Sequence, residues 1–474
     1  MEIARRAGDK ALADPTIREA IAQWYNPTTL KLIEGSPVNC LLVTLSAGGA
    51  PEVEQQQLKL VKDYTRAARE RGFAILGLVY PGADPAITVT AAVDADLDGL
   101  VPEGDFPAGH LDKLEKALSA AKGSSVFIPI YTDSAAARLS RSPVVAVEGV
   151  SPSARNLADI GIRGAPSGEP WIEFNSWRVR SLRLAPAPRP VWVSQRPETG
   201  SAQEYARCVA DAAVAGGRWI VALDDGLRAR WRGGDSGALA TWRSIVASLK
   251  FAEERPEWRQ APAFGNLGIV VDTAASDADV TDEYLKLAAR RQVPYRPIVR
   301  SQISASLLAG FRSVLAAHLA SLTALERKLL SDFAEAGGVV VAGPSWGAAK
   351  EEPYAELTVG KGRVVVYKDP DPESVARDLK ELLSQDEIGV VPFNVPSVIV
   401  HACAGEGGKP TLIKLLNYFN SPATAITIRV SGNFKGARLV APESAPLDLK
   451  LKSTEGRTDI SIPTLLSWGA VVLE

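Results

Sequence analysis

The chain reads as an α/β protein of three consecutive domains: a (β/α)8 TIM-like barrel, an open flavodoxin-like sheet and a small antiparallel β-sandwich. Three observations predict this. Near-continuous apolar runs alternate with helical patterns from residue 39 to residue 258, the pattern of a parallel sheet covered on both faces. A shorter series of the same kind starts at residue 262. From residue 395 onward apolar and polar residues alternate at period two, with turn residues about every 8–12 positions, as in a sandwich. A length of 474 residues suits about three domains at roughly 150 residues each. The expected boundaries are 1–260, 261–390 and 391–474.

Residues 1–38 read as lead-in helices, with Asp14 capping a helix that has Pro15 at its first position. Eight strand-like runs follow: NCLLVTLSAGG (39–49), FAILGLVYPG (73–82), DGLVPEGDF (98–106), SSVFIPIYTD (124–133), PVVAVEG (143–149), PWIEFN (170–175), PVWVSQ (190–195) and RWIVALDD (218–225). Eight such units match a closed barrel. The alternative for this region is a doubly wound open sheet, but no GxGxxG follows the first strand. Asp98-Gly99 reads as a turn leading into the third run. In the second series the strands are LGIVVDT, YRPIVR, FRSVLAAH, VVVAGP and GRVVVYKD.

Composition excludes several classes of function. A formal charge of −2 gives no basic face for nucleic acid or an anionic membrane. No apolar run approaches the ~20 residues that span a bilayer. The N-terminus is charged and helical rather than a signal peptide, so a soluble protein is expected, exported if a leader was removed and cytoplasmic otherwise. Cys40, Cys208 and Cys403 are far apart and read as buried apolar residues. His110, His318 and His401 show no metal-ligand spacing, and no cofactor or metal is expected.

The candidate chemistry lies where apolar strands stop on acids. Along a strand, residues two apart share a face. Val144, Ala146 and Glu148 form one such set, Val101, Glu103 and Asp105 a second, Ala222 and Asp224 a third, and Trp171, Glu173 and Asn175 a fourth. Pointed inward, these four strand ends make an acidic bowl at the rim where barrel active sites lie. Glycoside hydrolysis needs two carboxyl groups, one a proton donor and one a nucleophile or base. Glu148, Glu173, Glu103 and Asp224 are therefore the catalytic candidates. Trp171, Trp177, Tyr80 and Tyr131, with Trp192, offer stacking surfaces, while Asp105, Asn175, Gln195, Asp225 and Arg155 offer polar groups for hydroxyls. The structural alternative is equally concrete: Asp224-Asp225 ahead of GLRAR could cap the next segment or pair with Arg228.

NLGIVVDT (266–273), LTALERKLLSDFAEAGGVVVAGP (322–344), LLNYFNSPATAITI and the closing LLSWGAVVLE resemble pieces of the family 42 glycoside hydrolases. That resemblance implies a barrel, a class I glutamine-amidotransferase-like domain that mediates trimerisation, and a terminal sandwich. It also implies a carbohydrate ligand and self-association through the middle domain. Barrel glycosidases of that clan carry an Asn-Glu acid/base pair after strand four and a nucleophilic Glu after strand seven. Counted from residue 39, those strands end IPIYTD and VWVSQRPE, so the family's catalytic pair is not carried over. Ser345, with no cysteine elbow, also argues against amidotransferase activity in the middle domain. The sequence thus leaves a glycosidase acting by paired carboxylates, a non-catalytic carbohydrate-binding or scaffolding protein with a degenerate barrel, and a carboxylate-held metal hydrolase.

Overall fold

The computed structural model describes residues 1–3, 14–46, 50–82, 84–155, 171–184, 189–197, 200–272, 278–347, 349 and 352–474. They divide into two compact units. The first comprises Met1–Ser151, Arg189–Val209 and Gly217–Glu254; the second comprises Pro152–Pro188, Ala210–Gly216 and Arg255–Glu474. Among the described residues no helix is long and apolar enough to cross a membrane.

The first unit holds two four-stranded parallel sheets. One runs Cys40–Ser46, Ala74–Val79, Gly99–Pro102 and Val126–Phe127; the other runs Ile130–Tyr131, Val145–Glu148, Val191–Ser194 and Arg218–Ile220. The sheets meet at Pro129, which has no N–H to donate and so divides one strand into Val126–Phe127 and Ile130–Tyr131. At the other edge residues 1–3 join them. Ile3 N donates to Leu42 O at 3.0 Å, Leu42 N to Met1 O at 2.8 Å and Glu2 N to Val221 O at 2.9 Å. The hydrogen-bonded order is therefore cyclic. In that ring residues 1–3 are strand one, Cys40–Ser46 two, Ala74–Val79 three, Gly99–Pro102 four, the segment split at Pro129 five, Val145–Glu148 six, Val191–Ser194 seven and Arg218–Ile220 eight.

Eight strands were expected, but not these eight. Trp171–Glu173 pairs antiparallel with Ser153–Arg155 in a separate two-stranded sheet of the second unit. Residues 1–3 take the eighth place, where a lead-in helix was expected. Three residues are too few for a period-two pattern, so this strand is defined only by its partners. Asp98 and Gly99 stand at the entry to strand four, as expected. Gly99 opens the strand, where an added Cβ would stand 2.1 Å from Val126 O, and it permits that close approach. Asp98 accepts from Ile75 N at 2.7 Å and pairs with Arg69 at 3.0 Å.

Helices separate the strands, and the cap read in sequence at Asp14 is present. Asp14 accepts from Thr16 N, and Asp84 caps the helix Pro85–Asp94 in the same manner. Trp231 stacks between Trp24 and Trp242, with ring centres 5.8 and 4.5 Å away.

In the second unit six strands form one sheet, of which five are parallel. Taken in chain order those five lie 2-1-3-4-5, a common doubly wound arrangement. Tyr354–Val359, absent from the sequence reading, closes one edge antiparallel to Gly362–Tyr367. Two antiparallel sheets of four and five strands follow. Val390, Ile428 and Ile460 from one and Val400, Leu415 and Val471 from the other share a single core, which makes them a sandwich.

Candidate active site

The inner face of the ring is fixed by one cluster: Leu42, Leu76, Leu78, Val101, Ile130, Ala146 and Ile220, with Trp192 packed against it. Because side chains alternate, the same face continues to Glu148 on strand six and to Glu103 one residue past strand four. The ladder still holds at Glu103, whose N–H donates to Val79 O at 2.9 Å, so the alternation is valid there. Glu103 is half-buried and Glu148 exposed. Glu148 sits beside Ser194 of strand seven.

Residues 1–3 bring one further acid to this interior. Glu2 is level with the inward-facing Leu42, is 2% exposed, and has Arg196 beside it at 3.5 Å. Sequence reasoning missed it because the segment carried a helical expectation. Tyr80 is buried in the interior cluster, and Trp192 lies one layer below Ser194, level with Ala146 and Ile130. Trp192 thus fills the barrel below the rim, whereas Tyr80 follows strand three at the level of Glu103. Tyr131, next to inward-facing Ile130, falls on the opposite face. Asp105 is exposed beyond Gly104, whose φ of 102° ends the strand geometry. Gln195 is buried, and its Oε1 has no hydrogen-bond partner among the described residues.

Asp224 and Asp225 do what the structural alternative required. Asp224 caps the helix Asp225–Arg232 by accepting from Leu227 N at 2.8 Å, and accepts from the Tyr205 hydroxyl at 2.7 Å. Burial, with the adjacent carboxylate, pushes the Tyr205 phenol well above its usual value, so it stays a donor. Asp225 pairs with the buried Arg228 at 2.9 Å.

Residues 171–175 of PWIEFN lie in the second unit, and Pro170 falls outside the described residues. Trp171 Nε1 donates to Glu173, as expected for residues on one face, and Lys286 stands 3.8 Å from the same carboxylate. The buried Arg290 guanidinium sits 3.4 Å over the Trp171 ring centre, a cation–π contact. Asn175 donates backbone and side-chain N–H groups to Asp211 at 2.7 and 2.8 Å, and Trp177 Nε1 donates to Phe174 O at 2.9 Å. Both are structural tethers. Arg155 ends its strand; its side chain lies outside the described residues. Among the described residues no group of three or more His, Cys, Asp or Glu is placed to hold a metal ion.

No family model and no curated protein sequence matches the chain. Solved structures do. The α-L-fucosidase isoenzyme 2 from Paenibacillus thiaminolyticus superposes with a TM-score of 0.58 at 10% identity over 96% of each chain. An exo-β-1,4-mannosidase from Opitutaceae bacterium strain TAV5 gives 0.48 at 11% identity, over 77% of this chain and 91% of that one. An exo-carrageenase of family GH42 from Bacteroides ovatus gives 0.42 at 12% identity, over 77% and 54%. The fold is shared with the fucosidase along nearly the whole chain.

Proposed function

We propose that this chain is a carbohydrate-acting hydrolase of the glycosidase type, with Glu103 as proton donor and Glu148 as the second carboxylate. The observation that carries the reading is their common position: both continue the interior-facing rows of parallel strands at the C-terminal rim. The fold shared with a fucosidase supports it. With residues 1–3 as strand one, Glu103 follows strand four, the position the family resemblance associates with the acid/base residue, although Pro102 stands where an Asn is usual there. Asp224 is engaged as a helix cap and Glu173 by Trp171 and Lys286, so the proposed chemistry rests on the other two acids.

Strands four and six are two steps apart in the ring. At about 4.8 Å per step their positions are ~10 Å apart, which favours the wider, inverting spacing of roughly 6.5–9.5 Å once the side chains lean inward. Purified protein screened against chromogenic glycosides should show turnover. Glu103→Gln and Glu148→Gln should each lower kcat by about 10²–10⁴-fold, and product NMR should show an inverted anomer. Full activity in both variants would sink the assignment.

One observation favours a second reading, a binding protein without turnover: strand seven ends Ser194-Gln195-Arg196, with no acid at that rim position. Glycan binding with no turnover by the wild type would select it. The three-domain division at 260 and 390, with self-association through the flavodoxin- or amidotransferase-like sheet, belongs to the same proposal. Size-exclusion chromatography with light scattering tests the latter.

A further inference from the structure

A cavity of ≈ 400 Å³ inside the second unit gathers Arg180, Arg183, Arg259, Arg296, Lys414 and His401. Among the described residues no aspartate or glutamate lines it. Arg180 and Arg183 come from one end of the helix Ser176–Leu182 and its C-cap, Arg259 from Pro256–Gln260, and Arg296 from the strand Tyr295–Val299. His401 and Lys414 are cross-strand partners in the sandwich.

Neutral carbonyls hold these cations in place. Arg183 Nη1 donates to Ala215 O at 2.9 Å and Arg259 O at 3.2 Å, and Arg180 Nη1 to Tyr295 O at 3.1 Å. Arg296 Nε donates to Gly265 O at 2.8 Å, and Lys414 Nζ to Val214 O at 3.1 Å and Trp258 O at 2.6 Å. Arg180 Nη2 lies 3.0 Å from His401 Nδ1. Arginine can only donate, so Nδ1 accepts and the imidazole is neutral. Burial, with Arg180 and Lys414 nearby, holds the His401 pKa well below its usual value. Among the described residues Arg180, Arg183, Arg296 and Lys414 form no ion pair with a carboxylate.

Carbonyl dipoles orient guanidinium groups but do not cancel their charge. Like charges drawn out of water into one cavity are costly without a counter-ion. The backbone also makes room for the cluster: Gly216 has φ +91°, and a Cβ there would stand 1.7 Å from Arg183 Nη1. The remaining lining includes Leu184, Val214, Ala261, Pro262 and Pro297, so apolar wall accompanies the charge. Planar guanidinium forks match the oxygens of a phosphate or sulfate group. A volume near 400 Å³ lies in the range of about 300–1,000 Å³ typical of small-molecule pockets.

We propose that this arginine-lined cavity of the second unit binds a small organic oxyanion, a phosphate or sulfate ester. The proposal does not depend on the glycosidase reading.

The test uses the full chain. Melting temperature and calorimetric titration are compared for inorganic phosphate, inorganic sulfate and a monosaccharide phosphate, each against sodium chloride at equal ionic strength. The oxyanions should raise Tm where chloride does not, with the sugar phosphate binding tighter than inorganic phosphate. Arg183→Met should weaken binding tenfold or more. Gly216→Ala should also weaken it, because it pushes the guanidinium aside while keeping its charge. If every oxyanion shifts Tm no more than chloride, the proposal is overturned, and this wild-type measurement decides even where a variant fails to fold. Unchanged affinity in a folded Arg183→Met overturns the site. Equal affinity for inorganic phosphate and sugar phosphate overturns the organic ligand.

Discussion

Asp211 is 1% exposed, yet its carboxylate receives only donors. Tyr418 Oη donates to it at 2.8 Å, Asn175 N and Nδ2 at 2.7 and 2.8 Å, and Ser176 N at 3.4 Å. Burial raises its pKa above the usual carboxylate value, and these four hydrogen bonds offset only part of that rise. An amide in its place would turn an NH2 group toward donors. Asp211→Asn should therefore destabilise the second unit by about 1–3 kcal/mol in urea unfolding, with the m-value unchanged. How legible a residue's role is in sequence depends on the span of its contacts. Asp224 could be read as a cap because its acceptor role is three residues long. Asp211 could not, since its partners lie 36 and 207 positions away. Asn175 was misread for the same reason: nothing local shows that its amide is already used.

At the scale of elements, the helix Ala324–Glu335 begins with a capping box of Thr323 and Glu326, and the same Glu326 receives a two-bond fork from Arg300 at 2.7 and 3.0 Å. That fork depresses Glu326 from 4.5 to about 2. Three residues past the strand Ser313–Leu315, His318 is half-buried against Tyr284, with ring centres 5.0 Å apart, and the desolvation of its ring lowers it from 6.5 to about 4. Both folded pKa values lie below the unfolded ones, so the unfolded chain binds more protons and stability falls on acidification. The His318 contribution is lost between pH 6.5 and 4, and that of Glu326 between 4.5 and 2. Chemical unfolding across this range should show His318→Phe flattening the upper part of the loss and Glu326→Gln the lower part. A wild-type stability unchanged from pH 7 to 4 would refute the His318 assignment. Helix caps of this kind are local and were readable in sequence. Strand partners were not: the period of PWIEFN predicts a strand, but period carries no information about which sheet receives it.

At the scale of the whole molecule, eight strands emerge from two compensating departures: one run left the ring and residues 1–3 entered it. The physical cause is that a ring is defined by pairing, and pairing between distant segments leaves no periodic signature. The architecture was legible because apolar alternation is long-range and repeated; the composition of the rim was not, since it depends on which strand is first. Ile3→Pro tests the closure directly. It removes the N–H that donates to Leu42 O and leaves that carbonyl unpaired, which should cost about 1–3 kcal/mol, read as a lower urea midpoint for the first unit. An unaltered midpoint would mean that residues 1–3 do not hold the ring.

The bond from Glu2 to Val221 also sets an order of events during synthesis. Strand one leaves the ribosome first, but its second neighbour is made 219 residues later, counting from 2 to 221. At about 5–20 residues per second, the nascent chain carries an open sheet edge for roughly 10–45 s before the ring can close. Such an unpaired edge invites pairing with other chains. The barrel's vulnerable period is thus set by chain length and translation speed, and slowing elongation between strands two and eight should raise the fraction captured by chaperones.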